Sequence, residues 1–417
     1  MKLTITSVER DWVNVPFKPR HERHLTRENP DWGVFEILRL RTDAGLTGYG
    51  ETMIYYTWGR VPQEQVDRVI GHSPFEFLWD DKLGCGLQMA IFDLVGKALE
   101  VPMYKLLGTK VRDWCPVSWW TNCMSLEDWK EEMREAMALG YMSAKLKARP
   151  WRDFVGDIEA LAGIVPSDFR FDADFNSFLR DVSTAAPVCL ELEKTAQVNL
   201  FETPIPQVDV EGNAQLRRKV TRPIAMHYGS PPIQTAIAAE VCDGFVIGGG
   251  ALGLRQQAEL AMQFNKPFFL QLVGTGLTTA LMLHFGATMT HATWPAITCN
   301  EIYSDDLILK RLDVHQGYMH VPEAPGLGVE VDEEAIARFK VPTGFVPEPP
   351  HNLYRVSWPC GQQVVYPQGH GGAWVDFEKG NQPLFHRGVR MDIMPDDGSP
   401  DWADLKCRAK LAPVRLS

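Results

Sequence analysis

The sequence predicts an α/β protein: a (β/α)8, TIM-like barrel with an N-terminal α+β capping domain before it and a C-terminal extension after it. Three observations predict this. Residues 1–60 alternate apolar and polar side chains at period two, as antiparallel strands do. From about residue 116, short apolar strands recur with helical stretches between them, the rhythm of parallel βαβ units. After residue 341 that rhythm stops and the chain turns rich in Pro, Gly and Trp.

Taken in order, LTITSV (3–8), VFEILRL (34–40) and TGYGET (47–52) form a meander, with Asp43-Ala44-Gly45 as the turn between the last two. The polar, proline-marked segment between the first two is too long for a tight turn and reads as a functional or mobile loop. LGCGLQMAIFDLVGKALE (83–100) has helical spacing, with Leu87, Ile91, Leu94, Val95 and Ala98 on one face. The barrel strands are expected at 116–121, 141–148, 169–174, 198–205, 222–228, 243–249, 266–274 and 296–303. Eight such units predict a closed barrel. An open doubly wound sheet is the alternative, but no G-x-G-x-x-G opens any of the helices. The division is 1–115 for the capping domain, with part of 321–340 returning to it, 116–320 for the barrel and 341–417 for the extension. In the extension YRVSW, QQVVYP and AWVDF look like strands, and the segment reads as ordered, packed on the body or at a subunit interface.

With 45% hydrophobic and 23% charged residues, the 417-residue chain has the balance of a globular protein. A formal charge of -11 argues against nucleic acid or an anionic membrane as partner. No run of about 18 apolar residues is present, so no membrane span is expected. The N-terminus has no apolar leader pattern, and the expected location is the cytoplasm. Eight scattered cysteines without a C-x-x-C pair read as reduced thiols.

In a barrel, chemistry comes from the C-terminal ends of the strands. The second strand ends in Lys145-Leu146-Lys147, which puts both ammonium groups on one side, where each lowers the other's pKa. The third ends with Asp172 and Asp174, also same-facing, and the fourth with Glu202. Carboxylates on successive strand ends can hold a divalent cation, although any one alone reads better as a cap of the following helix. Lysines and carboxylates together point to a site that binds anions, removes protons and anchors a metal.

These motifs carry a resemblance. MAIFDLVGKALEVPMYKLLG (89–108), K-L-K (145–147), FDAD (171–174), FETP (201–204) and PEAPGLGVEVDEEAI (322–336) resemble, in order and spacing, the mandelate racemase/muconate lactonizing enzyme branch of the enolase superfamily. The likeness covers roughly residues 1–340. It implies a lyase or isomerase that removes the α-proton of a small-molecule carboxylate and stabilises the enediolate with a divalent metal, usually Mg²⁺. It further implies Lys147 as base, Lys145 as the lysine that neutralises the carboxylate, and Asp172 and Glu202 as metal ligands. Asp174 and Glu301 would contact substrate, Arg20 and His24 would lie on the loop that closes over the barrel, and the protein would be a homo-oligomer.

The pattern breaks at three strand ends. The fifth offers His227 and Tyr228 where an acidic third ligand is expected, and only one of the two can face the mouth without a bulge. The sixth runs into Gly248-Gly249-Gly250, whose N–H groups could cradle an anion. The seventh carries Gln271, which can hydrogen-bond to substrate but cannot transfer protons. A two-base racemisation lacks its partners. One-base syn-elimination of water from a hydroxy acid or acid sugar, with His227 assisting, fits what remains. A non-catalytic or metal-independent carboxylate-binding barrel is the alternative.

Overall fold

A computed structural model describes residues 3–56, 59–369, 372–383 and 385–416. Three antiparallel strands open the chain: β1 (Ile5–Asn14), β2 (Val34–Thr42) and β3 (Thr47–Met53). Gly45, at φ 76, makes the β2–β3 turn in a conformation that costs glycine little. The long β1–β2 loop contains a helix at Pro19–Leu25. The apolar-faced helix Cys85–Ala98 packs on β2 and β3. It approaches so closely that a Cβ at Gly50 would fall 1.9 Å from the carbonyl oxygen of Gly86.

β4 (Trp114–Pro116) pairs with the later Tyr318–His320 strand, and the barrel follows it. Its strands are β5 (Trp119–Thr121), β6 (Ser143–Lys147), β7 (Arg170–Asp174), β8 (Val198–Glu202), β9 (Ile224–His227), β10 (Gly244–Ile247) and β11 (Phe268–Leu270). They run parallel, each beside its neighbour in sequence. Each is followed by a helix, from Leu126–Ala138 to Gly276–Thr288. The expected eighth strand, 296–303, is mostly irregular. Ala296 and Ile297 make parallel bridges, to Val117 and Gln271, and these close the ring, while Tyr303 bridges antiparallel to Phe17. Left-handed Cys299 then turns the chain into a 3-10 turn at Asn300–Ile302. Beyond the barrel the chain returns to the N-terminal sheet, where Lys340 and Val341 pair with Val13 and Trp12.

The barrel is filled, as its alternating strands require. Trp120, Leu200, Ala225, Val246, Phe269 and Ile297 form one apolar cluster that continues into Trp32, Phe35, Ile37 and Met53 of the N-terminal domain. That domain therefore sits over one end of the barrel.

The segment after 341 folds into a four-stranded antiparallel sheet from Asn352–Ser357, Gln363–Pro367, Arg390–Pro395 and Val414–Leu416. Two of these strands match the sequence reading. AWVDF does not: Ala373–Glu378 is a helix, with Ala373 and Phe377 buried at helical spacing. The sheet packs on the barrel through Tyr354, Val356 and Tyr366 against Cys123, Trp151 and Phe178. The described cysteines are all free, and no helix among the described residues is long and apolar enough to cross a membrane.

Candidate active site

The strand register brings the site together. Lys145 lies beside Asp172, Lys147 beside Asp174, and Asp174 beside Glu202. Aligned partners in a sheet share a face, so Lys147, Asp174 and Glu202 form one layer at the strand ends, with Lys145 and Asp172 one layer deeper. Lys145 Nζ is 2.5 Å from Glu202 Oε2 and 3.3 Å from Asp174 Oδ2, and it donates to Gln271 Oε1 at 2.8 Å. Phe269 lies beneath it, 5.2 Å from ring centre to nitrogen. Lys147 donates to Asp174 Oδ2 at 2.5 Å and to Asn176 Oδ1 at 3.1 Å.

The two lysines sit in different fields. Burial disfavours the charge on Lys145, but Glu202 and Asp174 outweigh it and hold its pKa above the ordinary lysine value. Burial also disfavours the charge on Lys147. There Asp174 offsets only part of the effect, Lys145 and Arg149 add to it, and the pKa falls below the ordinary value. Burial would raise Asp174, yet Lys147, Lys145 and Arg149 hold it well below the usual carboxylate range.

His227 faces this layer, with Nε2 3.2 Å from Glu202 Oε1, while Tyr228 turns the other way and packs on Phe245. His227 and Gln271 both line a cavity of about 280 Å³ with Tyr56, Tyr228, Gly248 and Gly249. Gln271 thus connects the cavity to Lys145. Glu301 is buried nearby but accepts the backbone N–H of Trp120 at 2.5 Å, and burial pushes its carboxyl up to about 7.

Three expectations from the sequence are placed differently by the structure. Asp172 accepts from Asn199 Nδ2 at 2.9 Å, and Glu202 is ion-paired with Lys145, so the two carboxylates implied as metal ligands are not presented together. Burial pushes Asp172 up to about 6. Among the described residues no three His, Cys, Asp or Glu side chains converge where a metal ion could be held. The side chains as arranged therefore do not fit Mg²⁺: the ammonium of Lys145 already occupies Glu202 and Asp174, and Asp172 is held by Asn199.

Arg20 and His24, expected on the barrel-closing loop, bind outward to the helix Leu126–Ala138. Arg20 pairs with Glu132 at 2.6 Å and His24 with Asp128 at 2.6 Å, and burial pushes His24 down to about 4. They latch the loop in place. The glycine triplet does lead to an anion, but it is the protein's own Asp81. That carboxylate accepts N–H bonds from Leu252 and Gly253 at the start of the next helix.

Asn176 and Arg149 were not singled out from the sequence. The signal was there, since 145, 147 and 149 continue one alternation and 172, 174 and 176 another.

A family model described as Enolase C-terminal domain-like matches residues 128–335, which span the strands carrying this site. The chain belongs to the enolase superfamily. Within it, this enolase-superfamily protein is similar to the N-succinyl-L-Arg/Lys racemase of Bacillus cereus, at 24% identity over 73% of this chain and 90% of that one. It is also similar to the arabinonate dehydratase of Saccharolobus solfataricus, at 22% identity over 72% of this chain and 89% of that one. The muconate lactonizing enzyme of Pseudomonas putida shares the fold, with a TM-score of 0.67 and 21% identity over 81% of this chain and 100% of that one. The relatives include lyases and isomerases, the mandelate racemase/muconate lactonizing branch among them.

Proposed function

We propose that this protein is a dehydratase-type lyase acting on a small hydroxy-carboxylate or acid sugar by one-base α-proton abstraction. The observation that carries the reading is the placement of two same-facing lysines: Lys145 buried against Glu202 and Asp174, and Lys147 partly exposed at the strand end, where burial lowers its pKa. Lys147, with 17% of its side chain exposed, takes the α-proton. Lys145 supplies fixed positive charge for the oxygens on which the enediolate charge develops. His227, on the cavity wall, gives a proton to the departing β-hydroxyl, and Gln271 hydrogen-bonds the substrate. Asp174 and Glu301 orient the site, and Arg20 and His24 hold the loop above it. No step runs through a metal. The likeness to an arabinonate dehydratase supports the substrate class.

The alternative is a carboxylate-binding barrel without turnover, favoured by the hydrogen bonds that already engage Lys147. Incubation of the protein with a panel of aldonic acids in D₂O separates the two. α-Hydrogen exchange and a 2-keto-3-deoxy product are expected, with Lys147→Met slower by about 10²–10⁴-fold. Binding without exchange across the panel establishes the binder instead.

A further inference from the structure

The C-terminal extension meets the barrel a few residues from Lys147, through a connected chain of contacts. Trp374, on the helix Ala373–Glu378, packs edge-on against Phe178 with ring centres 4.4 Å apart, and its ring lies 5.4 Å from the guanidinium carbon of Arg149. Phe178 sits 5.0 Å from the same carbon. Arg149 is thus buried in an aromatic slot of which the extension supplies one wall. Its Nη2 donates to Asn176 Oδ1 at 2.9 Å, the same oxygen that accepts from Lys147 Nζ at 3.1 Å.

The loop that carries Asn176 needs outside support. Asn176 and Ser177 both have left-handed backbone, at φ 45 and 70, which asparagine tolerates but which serine adopts less readily and at a cost the surroundings must offset. Part of that support comes from the barrel, as Ser177 N donates to the carbonyl of Thr203 at 2.8 Å. The rest comes from the extension. Phe385 packs on Phe175, Phe377 packs on Phe178, and Arg180 donates to the carbonyl of Phe377.

We propose that the extension is a positioning element for the barrel's site, in which Trp374 seats Arg149 against Asn176 and so fixes the place of Lys147. The groups facing Lys147 are Asp174 and Asn176 at the end of β7, Lys145 on its own strand, Glu202 on β8 and Arg149 on the following loop. Arg149 is the cation among them whose side chain touches the extension. Withdrawing it leaves Lys147 with its carboxylate partners and less opposing charge, which favours the ammonium form. The catalytic consequence rests on the reading of Lys147 as base, whereas the positioning does not.

Trace labelling of the full chain with acetic anhydride, followed by mass spectrometry across pH, reports the Lys147 amine without any substrate. In both Trp374→Ala and Arg149→Met the Lys147 midpoint is expected to rise, with labelling at pH 8 falling about threefold, the equivalent of half a pH unit. Exposed Lys194 serves as the unchanged reference, and Trp374→Phe, which keeps an aromatic face, should behave as wild type. Should Trp374→Ala fail to fold, Trp374→Leu keeps apolar volume without the π face and takes its place. An unchanged Lys147 midpoint in either the Trp374 or the Arg149 variant overturns the proposal. If the midpoints shift as expected but the wild type exchanges no α-proton, the positioning stands and the role of Lys147 as base falls.

Discussion

Glu301 shows how burial alone can put a carboxyl at odds with neutral pH. It is 1% exposed, its bond from the Trp120 N–H offsets little of the burial, and its pKa is pushed up to about 7. A carboxyl whose folded pKa exceeds its unfolded value binds more protons in the folded state. Its contribution therefore turns unfavourable as pH rises from about 4.5 to about 7. Glu301→Gln keeps an acceptor for Trp120 and removes the charge. Urea denaturation should find the variant more stable than wild type by about 2–3 kcal/mol at pH 8, and no different near pH 4. A variant no more stable at pH 8 would mean that Glu301 has a cationic partner. At this scale the alternation of strand side chains made Lys145 and Lys147, and Asp172 and Asp174, legible as same-facing pairs. It could not show which carboxylate meets which lysine. That depends on register between strands, including the shift at Phe171/Asp172, without which Asp174 would lie beside Phe201 and not Glu202.

The elements are joined across the domain boundary by carboxylates placed at helix starts. Glu51 on β3 is fully buried and accepts the N–H groups of Thr275 and Thr278 and the hydroxyl of Thr275, capping the helix Gly276–Thr288. Asp81 does the same for Ala251–Gln263. Neither helix has a capping side chain of its own at its N-cap, Thr275 or Gly250. Glu51→Ala leaves buried donors unpaired and should cost about 2–3 kcal/mol in urea denaturation. A loss below about 0.5 kcal/mol would show that water replaces the carboxylate. These caps were illegible because both carboxylates lie far along the chain from the helices they serve. Helix Ala373–Glu378 was misread for a different reason: five residues of mixed apolar and polar type satisfy either period, and only burial decides between them.

On the scale of the whole molecule, the N-terminal domain and the extension both pack on the barrel, and the cation at the centre of the site is Lys145. A ligand that binds the folded state raises its melting temperature by mass action. Because Lys145 occupies the space between Glu202 and Asp174, Mg²⁺ at about 10 mM, or a chelator, should leave the melting temperature within about 1 °C. A dose-dependent rise with Mg²⁺ would show that the lysine can vacate that space. The same experiment in Lys145→Met, where the carboxylates lose their ammonium, should bring out a rise.

Local sequence by itself determined the barrel, the N-terminal meander, the ordered extension and the identity of the charged strand ends, because periodicity and strand spacing are carried by residues close together in the chain. Only the tertiary structure decided how those charges pair. It turned Lys145 toward Glu202, His227 inward and Tyr228 outward, Arg20 and His24 onto a neighbouring helix, and Arg149 against Trp374. The partners in these contacts come from different strands, loops and domains, and their distances are set by barrel closure and packing, which no local pattern encodes.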